Sequence, residues 1–359
     1  MRVLFVGPFP WPSHQGSQAY LAGQAAALAR RGHDVHVVVY GSGTGGAPAG
    51  VTLHRSRAIP GGDFAEGGLH WSRPLHDLAL ARSVRRLAAT LRPDLIHAHN
   101  VEGPLAARLA RTGLPVVYDL HTSMAEELAD HLPVRLAPMG PSVGRWVDRL
   151  ALAASSAGCA ISPRARDVLT GAGLPCELVG PGVDPGDLVA RPGAAARFGG
   201  APWVVYTGNL DRYQDLDLLY AAVRGSALRL RIVTGSGEAV PDGVDVVRST
   251  DFRDAIDALA HAAVAVIPRR RCAGFPIKLL NQLGMGVPTV MMASAALPLS
   301  GVVPTGPAAL RSTLEALVAD PVRRASLGEA ARTEVLASWT WDARMARLEA
   351  LYDATLARR

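Results

Sequence analysis

The sequence predicts an α/β protein of two successive domains, each built on a parallel sheet. Three observations predict it. The chain has 359 residues, enough for two domains at roughly 100–200 residues each. Short apolar runs alternate with helical patterns, and after a Gly/Pro-rich interruption the alternation starts again. The runs are continuously apolar, as parallel strands covered on both faces are.

The elements follow in order. Val3–Val6 is a compact apolar run closed by Gly7-Pro8 and reads as a strand. Ser17–Arg31 reads as a helix, with Tyr20, Leu21, Ala25, Leu28 and Ala29 recurring at helical spacing. Ser17 suits its N-cap and Gly32 its C′ position. Val35–Tyr40, Leu95–His99, Val116–Leu120, Cys159–Ser162 and Glu177–Val179 are further strands. Between them Leu75–Leu91, Pro104–Arg111 and Val143–Ala154 are helical. From Pro181 to Pro202 the chain is dense in Gly and Pro and reads as a linker with room for one short helix.

The second alternation comprises strands at Trp203–Tyr206, Leu228–Val233, Val244–Val247, Val264–Ile267 and Thr289–Met292. Helices are expected at Leu216–Val223, Phe252–Ala262 and Ile277–Leu283, with helical material over Pro307–Leu327. The last helix, Trp341–Leu356, carries Met345, Leu348, Leu351 and Tyr352 on one stripe. No solenoid period is present.

Composition narrows the function. A chain 49% hydrophobic and 19% charged is globular, not disordered. Only 5% is aromatic, which argues against stacked platforms for nucleic acid. The net charge of +6 comes partly from Arg-rich helices such as Ala81–Leu91. That excess fits a solvated basic face, an anionic membrane surface or an anionic substrate, and the total does not choose. Cys159, Cys176 and Cys272 match no zinc or CxxC spacing and are odd in number, as reduced thiols of a cytoplasmic protein would be. The start, MRVLFVGPFPWP, has no signal-peptide core, and no run is long enough to span a membrane. The expectation is a soluble or peripheral protein.

Ligands of open α/β sheets bind beyond the carboxyl ends of the strands, so those loops are the candidates. Pro8–Gln18 sets Gly16 and Ser17 at a helix start, where free N–H groups can donate to a phosphate; a capped turn is the other reading. DLHT places His121 at a strand end. His97 and His99 share one face of the preceding strand, but no carboxylate pattern suggests a metal, so they read as near-core residues. In Thr234–Glu238, Gly235 and Gly237 either admit a ligand to the backbone or make a plain turn. Most informative is Ile267–Lys278. A strand ends in Arg269, Arg270 and Arg271, a turn runs through Gly274, Phe275 and Pro276, and Ile277 opens a helix with Lys278 in its first turn. A lysine there opposes the helix dipole, which makes sense if it faces a phosphate. No GxGxxG fingerprint with its acidic partner supports a dehydrogenase.

These segments, taken together, resemble glycosyltransferase family 4. The resemblance covers nearly the whole chain. It rests on the opening MRVLFVGPFPWPSHQGSQAYLAGQAAALARRGHDVHVVV, PDLIHAHN, VVYDLHTS, CAISPRARDVLTGAGLPCELVGPGVD, WVVYTGNLDRYQDLDLLYAAV, GFPIKLLNQLGMGVPTV and SWTWDARMARLEALYDA, in the family's order. The resemblance implies a GT-B fold, two Rossmann-like domains facing a central cleft. Residues 1–184 would be the acceptor side, 185–202 the linker, 203–340 the donor domain and 341–359 a helix packing back on the first domain. It implies retaining, metal-independent transfer from a nucleotide-diphosphate sugar, UDP- or GDP-linked, to a hydroxyl of a glycan, lipid-linked sugar or small molecule. The nucleotide sugar is a substrate, and no cofactor is implied.

By the resemblance His121 lies near the transferred sugar and Gly16, with Ser17, near the diphosphate. Lys278 joins His121 as a catalytic candidate. Gly208, Asn209, Gly235, Gly237, Arg269, Gly274, Phe275, Pro276, Ile277 and Asn281 are the donor-binding candidates. Two glutamates usual in the family are replaced by Ala273 and Asn281, and the usual Arg and Lys of the donor-domain entry loop by Asn209 and Gln214. Lys278 and Arg269–Arg271 are the candidates to compensate. A divergent subgroup fits this pattern; a non-catalytic binding protein of the same fold, or an epimerase, is the alternative. The segment His131–Leu152 mixes Arg135, Arg145 and Arg149 with apolar residues and reads either as an acceptor-side loop and helix or as contact with the inner membrane surface. A monomer is expected.

Overall fold

The structure is a computed structural model, and it describes residues 1–11, 16–59, 70, 72–132, 135–272 and 274–358. The chain divides into two compact units. The first is Met1–Gly182 with Ala273–Phe275 and Trp341–Arg359; the second is Val183–Cys272 with Pro276–Thr340.

The first unit holds strands β1 (Arg2–Gly7), β2 (Asp34–Val39), β3 (Val51–Arg55), β4 (Leu95–His99), β5 (Val116–Leu120), β6 (Ala157–Ala160) and β7 (Cys176–Leu178). They form one parallel sheet in the order β3-β2-β1-β4-β5-β6-β7. Its helices are α1 (Gly16–Arg30), α2 (Arg73–Leu91), α3 (Glu102–Ala110), α4 (Met124–His131), α5 (Gly140–Leu152) and α6 (Pro163–Gly171). Every residue of β4 and β5 is buried, which explains their unbroken apolar character around a few polar exceptions. The strand order reverses between β1 and β4, the switch point where such sheets bind ligands.

Local chemistry sets several boundaries. At the end of α1, Gly32 adopts φ 88° while the His33 N–H bonds Leu28 O at 3.2 Å, so Gly32 is the C′ glycine that the sequence signals. Ser17 is not the N-cap: α1 already includes Gly16, and residues 12–15 lie outside the described residues. Ser162, expected at the end of a strand, instead caps α6 by accepting from the Ala165 N–H at 3.2 Å, with Pro163 in the first turn. The sequence reading passed over β3, a sheet-edge strand with only Val51 buried. It also missed α4, whose cap is remote. Asp148 of α5 accepts from the N–H groups of Met124 and Ala125 at 2.9 and 3.0 Å; the local signal, Ser123 followed by Glu126 and Glu127 in the first turn, was there to be read.

The second unit holds β8 (Trp203–Thr207), β9 (Arg229–Thr234), β10 (Asp245–Arg248), β11 (Ala262–Ile267), β12 (Thr289–Met292) and β13 (Val302–Thr305). This sheet is also parallel, in the order β10-β9-β8-β11-β12-β13. Pro304 disguised β13 in the sequence, and its edge position tolerates a proline. The helices are α7 (Ala194–Phe198), α8 (Leu216–Val223), α9 (Phe252–Ala260), α10 (Ile277–Gly284), α11 (Leu310–Ala319) and α12 (Pro321–Ser338). The helical material expected over Pro307–Leu327 is thus a short turn and two helices, the second running on to Ser338. Arg191 fastens the Gly/Pro-rich stretch to α9 by ion pairs to Asp254, to Asp257 at 2.6 Å and to Asp251 at 3.0 Å.

The last helix, α13 (Trp341–Leu356), belongs to the first unit. Met345, Leu348, Leu351 and Tyr352 are buried. Trp341 fills the space beside Gly23 of α1, where an added Cβ would lie 2.1 Å from its ring. Arg31 and Glu349 form a two-pronged ion pair, both contacts at 2.7 Å. Among the described residues no helix is long and apolar enough to cross a membrane.

Candidate functional site

In the second unit the loops after β8, β9 and β11 emerge at the same edge, because all strands run parallel. The centre of this edge is Lys278, in the first turn of α10. Its Nζ donates to Tyr206 Oη at 3.0 Å and to Gln214 Oε1 at 3.1 Å, and lies 4.2 Å from the centre of the Tyr206 ring. Gly208 follows β8 with φ 132°, and a Cβ there would sit 2.9 Å from Nζ. The backbone shape and the space both call for glycine. Burial and the neighbouring Arg269 charge bring the Lys278 ammonium down to about 7. The ammonium is thus half-buried with only neutral hydrogen-bond partners.

The residues around Lys278 are cross-linked. Gln214 Nε2 donates to Asn209 Oδ1 at 2.6 Å, and Asn209 Nδ2 donates to Asp211 at 2.6 Å and Tyr213 Oη at 2.9 Å. Tyr206 Oη donates to Asn209 O at 2.6 Å. The Leu210 N–H reaches Ser236 Oγ at 3.1 Å, which joins this turn to the Gly235–Gly237 turn. Arg269 lies over Tyr213, 4.8 Å from its ring centre, and its Nε has no hydrogen-bond partner. The three arginines do not act as one cluster. Arg270 is drawn to Asp215, 3.8 Å away, and Arg271 is exposed. Pro276 precedes α10 with no side-chain cap, so the first-turn N–H groups at Ile277 and Lys278 suit an oxyanion. Asn281 is half-buried one turn further along α10, and Ala273 lies outside the described residues.

The first unit carries His121 just beyond β5. It sits in a buried polar cluster built by β4 and β5, whose register sets His99 beside Asp119. Asp119 Oδ2 accepts from His97 Nε2 and from Gln24 Nε2 of α1, both at 3.0 Å. His121 Nε2 lies 3.2 Å from His99 Nδ1 and 3.5 Å from Asp119 Oδ1. Tyr352 Oη of α13 closes the far side at 2.7 Å from His97 Nδ1. Burial lowers the His99 and His121 pKa values, so both rings favour the neutral form. Burial pushes the Asp119 carboxyl up, but the His97 hydrogen bond and the surrounding histidine rings outweigh it and hold it ionised. Gly274 belongs to this unit too, close enough that a Cβ would lie 3.7 Å from His121 O. Gly16 and Ser17 form the first turn of α1.

His97, His99 and Asp119 offer ligand atoms within 4.8 Å of one another. Both nitrogens of His97 are already engaged, one by Asp119 and one by Tyr352. The group is therefore a hydrogen-bond network with no spare lone pair on that ring. Sequence reasoning passed over Asp119, Tyr352 and Tyr206. Asp119 had a signal: it stands two residues before His121 on a strand, as His97 does before His99, so four polar residues share one face.

Two family models match the chain. Residues 15–182 match a glycosyl transferase 4-like domain, and residues 201–320 match glycosyl transferases group 1. No curated protein matches in sequence. Among solved structures, the chain is similar to a sucrose-phosphate synthase from Thermosynechococcus elongatus, with a TM-score of 0.82 at 16% identity over 100% of both chains. It is also similar to the Anabaena protein HepE in complex with UDP and glucose, at a TM-score of 0.71 and 15% identity, covering 99% of this chain and 100% of that one. WaaG, a glycosyltransferase involved in lipopolysaccharide biosynthesis, gives a TM-score of 0.68 at 15% identity over 97% of this chain and 99% of that one.

Proposed function

The chain belongs to the family 4 glycosyltransferases of the GT-B fold, and on that premise we propose that it transfers a sugar from a nucleoside diphosphate sugar to a hydroxyl acceptor, with retention and without a metal ion. One observation carries the reading: Lys278 Nζ, held by Tyr206 and Gln214 against Gly208 at the open end of α10. As the bond from sugar C1 to the diphosphate breaks, negative charge builds on the leaving oxygen. A fixed ammonium, the Arg269 guanidinium and the α10 N-terminus meet that charge with little reorganisation. The acceptor oxygen bonds to C1, and its proton leaves with the departing diphosphate. The position occupied by Gln214 lacks the family's lysine, but Lys278 reaches the same pocket from α10 and restores one cation. His121, in the first unit, is the sugar-side residue.

Uracil is the proposed base of the donor, supported by the UDP and UDP-glucose bound to similar HepE structures. The test is thermal shift with UDP, GDP, TDP and their sugar conjugates, followed by turnover with an acceptor panel. A UDP-selective rise in Tm, lost in Lys278→Ala, is expected. Binding without turnover of any acceptor would leave a nucleotide-sugar binding protein.

The acceptor side carries a second observation. Met139, Val143 and Trp146 are 58%, 42% and 60% exposed around α5, beside the exposed Arg145 and Arg149. The opposite face, with Gly144 and Asp148, packs on α4. An apolar ridge flanked by arginines suits an anionic bilayer surface and hence a lipid-linked acceptor. Flotation with anionic vesicles is expected to carry the protein up and Trp146→Ser to weaken this; no flotation of the native chain removes the membrane reading.

A further inference from the structure

The buried cluster beneath His121 has a directional arrangement. Asp119 presents its two oxygens to different partners. Oδ2 is saturated by His97 and Gln24. Oδ1 is buried with no hydrogen bond, and His121 Nε2 lies 3.5 Å from it. A buried, ionised oxygen without a donor is costly. The Tyr20 hydroxyl and the Cys159 thiol also bond this carboxylate, and the ring donor that faces Oδ1 is a proton on His121 Nε2, shared with His99 Nδ1 at 3.2 Å.

The opposite assignment has His99 Nδ1 donating to His121. It would aim the Nε2 lone pair of His121 at the Asp119 carboxylate, which is repulsive. This assignment leaves the His99 Nε2 N–H buried without a partner, a neutral cost that the full Asp119 charge outweighs, so the carboxylate decides the tautomer.

We propose that Asp119 is the positioning residue of His121, holding its imidazole with the proton on Nε2 and leaving Nδ1 as an acceptor for a sugar hydroxyl. The role toward the sugar rests on the transferase reading; the tautomer does not. Of the rings in the cluster only His121 reaches the surface, at 7% exposure, against 0% for His97 and His99. Its plane is fixed by the edge-on Tyr20 ring, 5.1 Å between centres. Phe5 stacks on His97 at 4.6 Å, and Tyr352 holds the outer nitrogen of His97, so the last helix braces the carboxylate from behind.

The experiment is long-range ¹⁵N–¹H NMR of histidine-labelled protein, with His121→Gln to assign the signal. The native chain is expected to show His121 protonated at Nε2 alone. Asp119→Asn can place an amide N–H₂ toward Nε2, so the proton should move to Nδ1. In that variant kcat/KM for sugar transfer should fall by about 100-fold or more, while UDP affinity, set in the second unit, stays within about twofold. A proton on Nδ1 in the native chain, or an Nε2 proton that survives Asp119→Asn, overturns the assignment. If Asp119→Asn does not fold, Tyr352→Phe loosens His97 without touching the carboxylate. Because the Asp119 charge remains, His121 should then keep its proton on Nε2, and a move of that proton to Nδ1 overturns the proposal. A protein with the expected tautomers but no transfer activity would fail the transferase reading instead.

Discussion

Lys278 Nζ donates to the Tyr206 hydroxyl at 3.0 Å and also sits over the Tyr206 ring, 4.2 Å from its centre. The ring face stabilises the ammonium while its burial and Arg269 oppose it. The balance leaves a cation that gains by meeting an anion.

Lys278→Ala removes that cation. Charge-assisted hydrogen bonds contribute roughly 1.5–3 kcal/mol, so UDP affinity should fall about 10–100-fold. The fold should persist, because the lost charge is poorly solvated in the free protein. Calorimetric titration checks the affinity and circular dichroism the fold; unchanged affinity would place the diphosphate elsewhere.

The Lys278 pKa of about 7 lies below the ordinary value of 10.5. Between those two values the unfolded chain binds the proton and the folded chain releases it. Stability should therefore rise as pH increases from about 7 to about 10, and Lys278→Met should flatten that segment of the profile. A diphosphate selects the charged form, so UDP should bind more weakly as pH climbs through 7, with uptake of a proton. The other groups facing Nζ are Tyr206, Gln214, Arg269 and the Cys272 thiol. Burial pushes the Tyr206 phenol upward, so it stays neutral in this range. Titrations in buffers of different ionisation enthalpy report the proton directly; affinity constant from pH 6 to 9 would contradict the assignment.

Gly208→Ala asks a side chain to adopt φ 132° and to enter space 2.9 Å from Nζ. Strain of this kind costs of order 1–3 kcal/mol. Denaturant unfolding should show that loss, and UDP binding should weaken with it as Lys278 is displaced.

Arg191→Ala leaves Asp254 and Asp257, both buried, without their shared partner. Arg191 itself is 40% exposed, so solvent screens part of the loss. Asp254 keeps Arg197 at 2.9 Å, so a modest lowering of the urea midpoint is expected, with UDP affinity unaffected. An unchanged midpoint would show that the Arg253 bonds to Asp187 O and Val189 O, with packing, hold the Gly/Pro-rich stretch without the Arg191 side chain.

The sequence by itself determined the α/β class, because parallel strands covered on both faces must be apolar at nearly every residue, as Val3–Val6 and Val116–Val117 are. It determined the end of α1, because Gly32 takes φ 88° at no steric cost. It pointed to Lys278 through the oddity of a lysine at a helix start. Only the tertiary structure decided what Lys278 meets. Tyr206 and Gln214 lie more than sixty positions away, and no local rule states which loop ends converge. It separated Arg269 from Arg270, which share a charge but face different partners. It supplied the remote cap of α4 from Asp148 and the brace on His97 from Tyr352, 255 positions apart. Local propensity and periodicity act over a few residues and are written in the chain; hydrogen bonds between distant residues depend on strand order and register, which only the packed sheets fix.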